Sequence, residues 1–182
     1  LDNKLLPCHR EAIDVGKVCR RCVTDVTSAS ADKCPIRLVM EPPAFTADLD
    51  ESLILHVLQN LLTNAVKYSP PQSPIELRVQ GAPDRLLLEV ADRGCGIPAQ
   101  DQPRLFTGFY RGSNTGSTPG SGLGLVIVKR CLDLHGGSCR LESTEGQGTT
   151  LSIEIPLHLF QPTTDSVSSD TDLIHRQNTH AP

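Results

Sequence analysis

One segment, DLDESLILHVLQNLLTNAVKYS (48–69), constrains this chain more than any other. Its apolar residues recur at helical spacing, so it reads as a helix that begins near Asp48 or Asp50 and ends before Pro70-Pro71. Leu58, Leu61, Leu62, Ala65 and Val66 supply its apolar surface. Asn60, Asn64 and Lys67 share one face, because side chains at i, i+3 and i+4 stack over one another. An unpaired buried amide costs about 1–3 kcal/mol. The fold must therefore bury the stripe and still give two amides and an ammonium something polar to face.

The flanking segments suggest how. Residues 10–28 carry Ile13, Val18, Cys22, Val23 and Val26 at helical spacing, with Asp14 as the N-cap. IRLVMEP (36–42) reads as a strand stopped by Pro42 and Pro43. IELRVQG (75–81) and RLLLEVADRG (85–94) read as a hairpin around GAPD. A long irregular connection follows, dense in glycine, serine, threonine and proline from residue 112; such loops tend to be functional or mobile. The spacing then predicts a helix over 122–135, closed by Gly136-Gly137, and two strands, 138–144 and 148–157, around EGQG. From Gln161 the chain is polar and is expected to be a disordered tail. The order predicts an α+β fold: a two-layer sandwich with one mixed, mostly antiparallel sheet covered on one face by helices.

Composition narrows the function. Lys and Arg number 17 against 21 Asp and Glu, which argues against a general nucleic-acid binder. No apolar run approaches the roughly 20 residues of a membrane span and no signal peptide opens the sequence, so a soluble, cytoplasmic chain is expected. Seven cysteines include the pair Cys19 and Cys22 in CRRC, with Cys8 and Cys34 near them. The second half of a zinc pattern is missing and the odd count argues against a disulfide framework, which leaves reduced, mostly buried thiols.

Two glycine motifs sit where ligands are commonly held. In DRGCGIP (92–98), Gly94 and Gly96 permit backbone angles closed to other residues, and Asp92 ahead of them can accept from a ligand amine. In GSGLGL (120–125) the glycines open a helix, where free N–H groups suit an anion. It is neither a P-loop nor a dinucleotide fingerprint. Taken singly, the first also reads as a plain strand turn and the second as a linker entering a helix.

Their order is more specific. LQNLLTNAVKYSP, DRGCGIP, LFTGFYRG, GSGLGLVIVK and EGQGTTLSIEIP, in this sequence, resemble the ATP-binding catalytic domain of sensor histidine kinases. That group lies within the wider family of gyrase and heat-shock-ninety type ATPases, and the resemblance spans about residues 10–158.

The resemblance implies a Bergerat-type fold and a division of roles. Asn64 matches the residue whose side-chain oxygen binds Mg²⁺ bridging the phosphates, a hard cation that favours such ligands. Asn60 matches the polar residue next to the γ-phosphate. Lys67 would add positive charge, and Tyr68 would pack near the adenine. Asp92 matches the acceptor for the adenine amine, with Gly94, Gly96 and Ile97 allowing passage of the base. Gly120, Gly122, Leu123, Gly124 and Leu125 would wrap the phosphates at a helix N-terminus. Residues 99–121 would form the ATP lid, anchored by Phe106, Phe109 and Tyr110, with Arg111 reaching a phosphate. Thr149 would support the base pocket through a water. The chain departs from the family pattern around Gly108, and at Cys95 a thiol replaces a small residue.

A histidine kinase also needs an acceptor histidine on a dimerisation hairpin. None of His9, His56, His135, His158, His175 and His180 has the required context. The expectation is a catalytic unit (10–160), monomeric in isolation, joined through the end of a linker (1–9) to the dimerisation domain of a homodimer that acts on a response regulator. The alternatives are a nucleotide-binding regulatory module without kinase activity, a serine-directed kinase of the same superfamily, and a hydrolysing clamp. The last would want a carboxylate base where Asn60 stands.

Overall fold

The computed structural model describes residues 8–116, 118 and 120–157. The tail expected over 161–182 and most of the linker expected over 1–9 lie outside the described residues. The elements are β1 (Glu11–Asp14), α1 (Val15–Ala29), β2 (Ile36–Glu41), β3 (Thr46–Leu49), α2 (Glu51–Tyr68), β4 (Ile75–Gly81), β5 (Arg85–Asp92), α3 (Gly124–His135), β6 (Ser138–Thr144) and β7 (Gly148–Pro156). Short 3₁₀ turns at Gln102–Arg104 and Ser113–Thr115 interrupt the connection between β5 and α3.

Five strands form one sheet in the order β2-β4-β5-β7-β6. Only β2 and β4 run parallel, since α2 lies in the crossover between them; the other pairs are antiparallel. Alternation puts Leu77, Val79, Leu86, Leu88, Val90, Leu151, Ile153 and Ile155 on the buried face. The register pairs Leu77 with Val90, and pairs Leu88 with both Val79 and Ile153. The helices cover that face, with α2 central: its Ile54, Val57, Leu58, Leu61, Leu62 and Ala65 are buried. The opposite face carries charged rows such as Glu76–Arg78–Glu89, exposed pairs that each contribute about 0–1 kcal/mol.

The expected fold is the observed one, with one addition. Glu11–Asp14, the start of the stretch read as helical over 10–28, is a strand leading into the Asp14 cap, and it pairs antiparallel with Thr46–Leu49, ahead of α2. Ile13, Ala47 and Leu49 are buried in alternation. Segments of four residues are too short for periodicity to separate a strand from a helical turn. Both caps fall where the sequence puts them. Asp14 accepts from the Lys17 N–H at 2.9 Å, and Asp50 from the Leu53 N–H at 3.1 Å. Gly136 closes α3 in the left-handed conformation at φ 70°.

Cys19, Cys22, Cys34 and Cys131 are buried core residues, and burial pushes the Cys19 and Cys22 thiols up to about 12. Among the described residues no group of three or more His, Cys, Asp and Glu could hold a metal, and no helix is long and apolar enough to cross a membrane.

His135 ties the far ends of α2 and α3 together. Its Nε2 accepts from the Asp50 N–H at 3.1 Å, and Nδ1 lies 3.0 Å from the Cys131 carbonyl. That pair of partners requires the neutral ring with its proton on Nδ1. Burial, the leading cause, holds its pKa below the ordinary value. The native ring thus stays neutral where the unfolded one, with a pKa of about 6.5, takes up a proton. The stability it contributes is full above about pH 6.5 and is lost as pH falls below. Denaturation midpoints should drop between pH 7.5 and 5.5, and drop less in His135→Gln. Parallel profiles would refute the assignment.

Candidate functional site

The polar face of α2 forms one wall of a cavity of about 250 Å³. Asn60 donates from Nδ2 to the His56 carbonyl at 2.8 Å, which leaves its Oδ1 free toward the cavity's α3 side. A Cβ on Gly124 would stand 2.8 Å from that oxygen and 3.6 Å from Nδ2 of Asn64. The first turn of α3 therefore rests on both amides and has room only for glycine. Lys67 lies over the Tyr68 ring, 4.7 Å from its centroid, and its ammonium abuts Gly120. Lys33, which sequence reasoning missed, donates to the Val66 carbonyl at 2.8 Å and the Lys67 carbonyl at 3.3 Å, neutralising the C-terminal end of α2.

Asp92 also lines the cavity. Its Oδ1 accepts from the Gly94 N–H at 2.8 Å and the Thr149 N–H at 3.3 Å, and among the described residues no cation pairs with it. Burial raises its pKa, against those two bonds. An anion held this way gains from any further donor that reaches its second oxygen. Thr149 pairs with Asp92 across β5 and β7, and its Oγ1 is 2.9 Å from Ser143 Oγ. Ser143 Oγ also accepts from the Ile97 N–H at 2.9 Å. Gln102 closes the group, donating to the carbonyls of Ile97 and Ser143 at 3.1 and 3.0 Å.

The glycines of DRGCGIP serve a purpose the sequence did not disclose. A Cβ on Gly94 would lie 2.6 Å from the Tyr68 carbonyl, and Gly94 does not line the cavity. Gly96 does line it, at φ +62°, but the Thr144 backbone occupies the place of its missing side chain. Both make room for neighbouring backbone, not for a ligand.

Tyr110 and Arg111 line the rim. Phe106 packs against the core, as expected of an anchor, and its neighbour Leu105 is buried. Phe109 is not an anchor: its side chain is 78% exposed and outside the cavity. Its backbone sits at φ +63° and donates to the Gly122 carbonyl at 3.2 Å, which turns the ring outward. Asn114, also missed, lines the cavity and donates to the Gly96 carbonyl at 3.0 Å. The guanidinium of Arg111 bonds the Thr118 carbonyl.

Of the glycine loop, Gly120, Gly122, Gly124 and Leu125 line the cavity, and Leu123 does not. Among the described residues no side chain caps the N-terminus of α3. Its free N–H groups and Lys67 give this end a positive field. Asn60, Asn64, Lys67, Tyr68, Asp92, Gly96, Ile97, Arg111 and Thr149 thus meet in one cavity, whose lining includes an anionic group, Asp92, and the cationic Lys67 and Arg111.

The sequence model of the histidine kinase-, DNA gyrase B-, and HSP90-like ATPases matches residues 49–159. The chain belongs to this family. It is 36% identical over 156 residues to the circadian input-output histidine kinase CikA of Thermosynechococcus vestitus, covering 81% of this chain and 21% of that protein. The fold is similar to that of a mycobacterial sensor histidine kinase, MprB, with a TM-score of 0.73 and 30% identity over 82% of this chain and 99% of that one. It is likewise similar to full-length ShkA in complex with AMPPNP, with a TM-score of 0.74 and 25% identity over 85% of this chain and 32% of that one. The histidine-kinase-like ATPase chain spans well under half the length of the curated relatives it matches.

Proposed function

We propose that the cavity binds Mg-ATP and that the domain donates the γ-phosphoryl group to a histidine on a dimerisation domain outside this chain. The observation that carries this reading is the polarity of the cavity. Its wall carries a half-buried carboxylate, Asp92, with no cation paired to it among the described residues, together with the Lys67 ammonium and the uncapped helix N-terminus of α3. A ligand with an amine at one end and phosphates at the other matches both.

Asp92 accepts from the exocyclic amine of adenine and disfavours guanine, whose carbonyl would face the same carboxylate. Gly96 and Ile97 border the base, Thr149 supports it, and Tyr68 packs near it. Lys67, Gly120, Gly122, Gly124 and Leu125 hold the phosphates with the N–H groups of α3. Arg111 reaches toward the phosphates from the rim.

The donor set fits magnesium in a limited way. Asn64 and Asn60 offer neutral amide oxygens and no carboxylate, which suits an ion bound through few protein ligands, substrate phosphates and water. Asn64 would be the direct ligand and Asn60 would face the γ-phosphate side. When bound, the ion neutralises phosphate charge. Transfer breaks the bond between the γ-phosphorus and its bridging oxygen, forms a bond to imidazole nitrogen, and leaves ADP. This chain contributes positioning and charge, not a nucleophile. Asn60, an amide, cannot take a proton from water, which favours transfer over hydrolysis.

In this reading residues 10–160 are the catalytic unit, linked through 1–9 to the dimerisation domain of a cytoplasmic-facing homodimer, with a response regulator as the final acceptor. The test is transfer from γ-labelled ATP to a supplied histidine-bearing dimerisation hairpin. Acid-labile, alkali-stable label on the hairpin is the expected result. Normal ATP binding with no transfer to any hairpin supplied would favour the regulatory module.

A further inference from the structure

Asp101 has no role in the reading above, yet it is buried at 4% exposure within a segment that is otherwise largely at the surface. Three donors converge on it. The Tyr110 hydroxyl reaches Oδ1 at 2.7 Å, and the Ser113 N–H and hydroxyl reach Oδ2 at 2.6 and 2.8 Å. One donor is on a cavity residue, Tyr110, and the other two are on Ser113, which lies between the cavity residues Gly112 and Asn114. Tyr110 itself lines the rim, and one face of its ring is covered by the Arg104 guanidinium, 4.3 Å from the centroid. Ser113 precedes Asn114, whose amide crosses to the Gly96 carbonyl beside the base pocket at 3.0 Å. Arg111 lies between the two tethered residues.

We propose that Asp101 is a positioning residue: its carboxylate latches residues 110–114 onto the base-pocket wall before nucleotide arrives, and so presets the rim against which the phosphates bind. The second half rests on the nucleotide reading above; the first half does not. The bonds from Ser113 and Tyr110 hold the carboxyl below the ordinary carboxylate range, so the acceptor is ionised at neutral pH. The latch is made of three charge-assisted bonds, the strong class of hydrogen bond. An asparagine keeps the shape but turns one acceptor into a donor facing donors.

The experiment compares wild type with Asp101→Asn in two measurements. The first is amide hydrogen exchange over 105–116 without ligand. The second is titration with a non-hydrolysable ATP analogue and, separately, with adenosine. The variant should exchange at least about tenfold faster in that segment and bind the analogue about tenfold more weakly, the scale of one lost charge-assisted bond. Adenosine affinity should change by less than about twofold, because the base pocket keeps its own bonds. Unchanged exchange would overturn the latch, and so would an equal loss for adenosine and analogue, which a merely structural defect produces. If wild type binds neither ligand, the nucleotide reading fails, and the exchange result alone decides the latch. Should Asp101→Asn not fold, Ser113→Ala and Tyr110→Phe each remove donors and are read the same way.

Discussion

Asp92→Asn should lower affinity for a non-hydrolysable ATP analogue by about 10- to 150-fold, the range for a hydrogen bond to a charged partner. Oδ1 already accepts two backbone N–H groups, from Gly94 and Thr149. In the variant the amide oxygen must keep that place, so its NH₂ turns to the position where the adenine amine would donate. Two donors then face each other, and selectivity against GTP should shrink along with affinity. The fold should not suffer. A carboxyl whose native pKa is raised contributes stability only below the ordinary carboxylate value, and that contribution is lost as pH rises through the native pKa. At neutral pH the charge opposes folding, so the denaturation midpoint of the variant should equal or exceed that of wild type. A variant that unfolds, or one that binds the analogue as wild type does, would contradict the assignment.

The second large effect belongs to Asn64. Asn64→Ala should bring affinities with and without Mg²⁺ close to each other, because the direct amide oxygen for the ion is gone. Transfer to a supplied hairpin should fall by about 100-fold or more, the order lost when one group that stabilises developing charge is removed. Affinity for adenosine should not move, since Asn64 lies on the phosphate side, against Gly124. An undiminished response to Mg²⁺ would transfer the metal role to Asn60.

Much of this site was legible in the sequence, for physical reasons that can be named. The face of α2 follows from a helical period sustained over five turns, and the family motifs stand in order along the chain. Asp50 and Asp14 announced their helices because an N-cap acts across only three residues. What escaped was either too short or too distant. β1 and β3 are four residues each. Gln102 acts on Ser143 across 41 positions and Lys33 on Val66 across 33, so nothing local marks either. The role of Gly94 was misjudged because a glycine that admits a ligand and one that admits a neighbouring carbonyl look alike in sequence. Phe109 was misjudged because the family resemblance implied an anchor there, whereas its left-handed backbone turns it to solvent. Asp101 was passed over as one more acid in a loop, its importance arising only from the three donors that surround it.

The central claim is that this cavity takes adenine nucleotides, and calorimetric titration of the chain tests it most directly. A non-hydrolysable ATP analogue would be added with and without Mg²⁺, with the guanine analogue as control. Saturable binding at one site, tighter with Mg²⁺ and weaker by at least about tenfold for guanine, is the expected result. No heat and no saturation with the adenine analogue, or equal affinity for adenine and guanine, would contradict it.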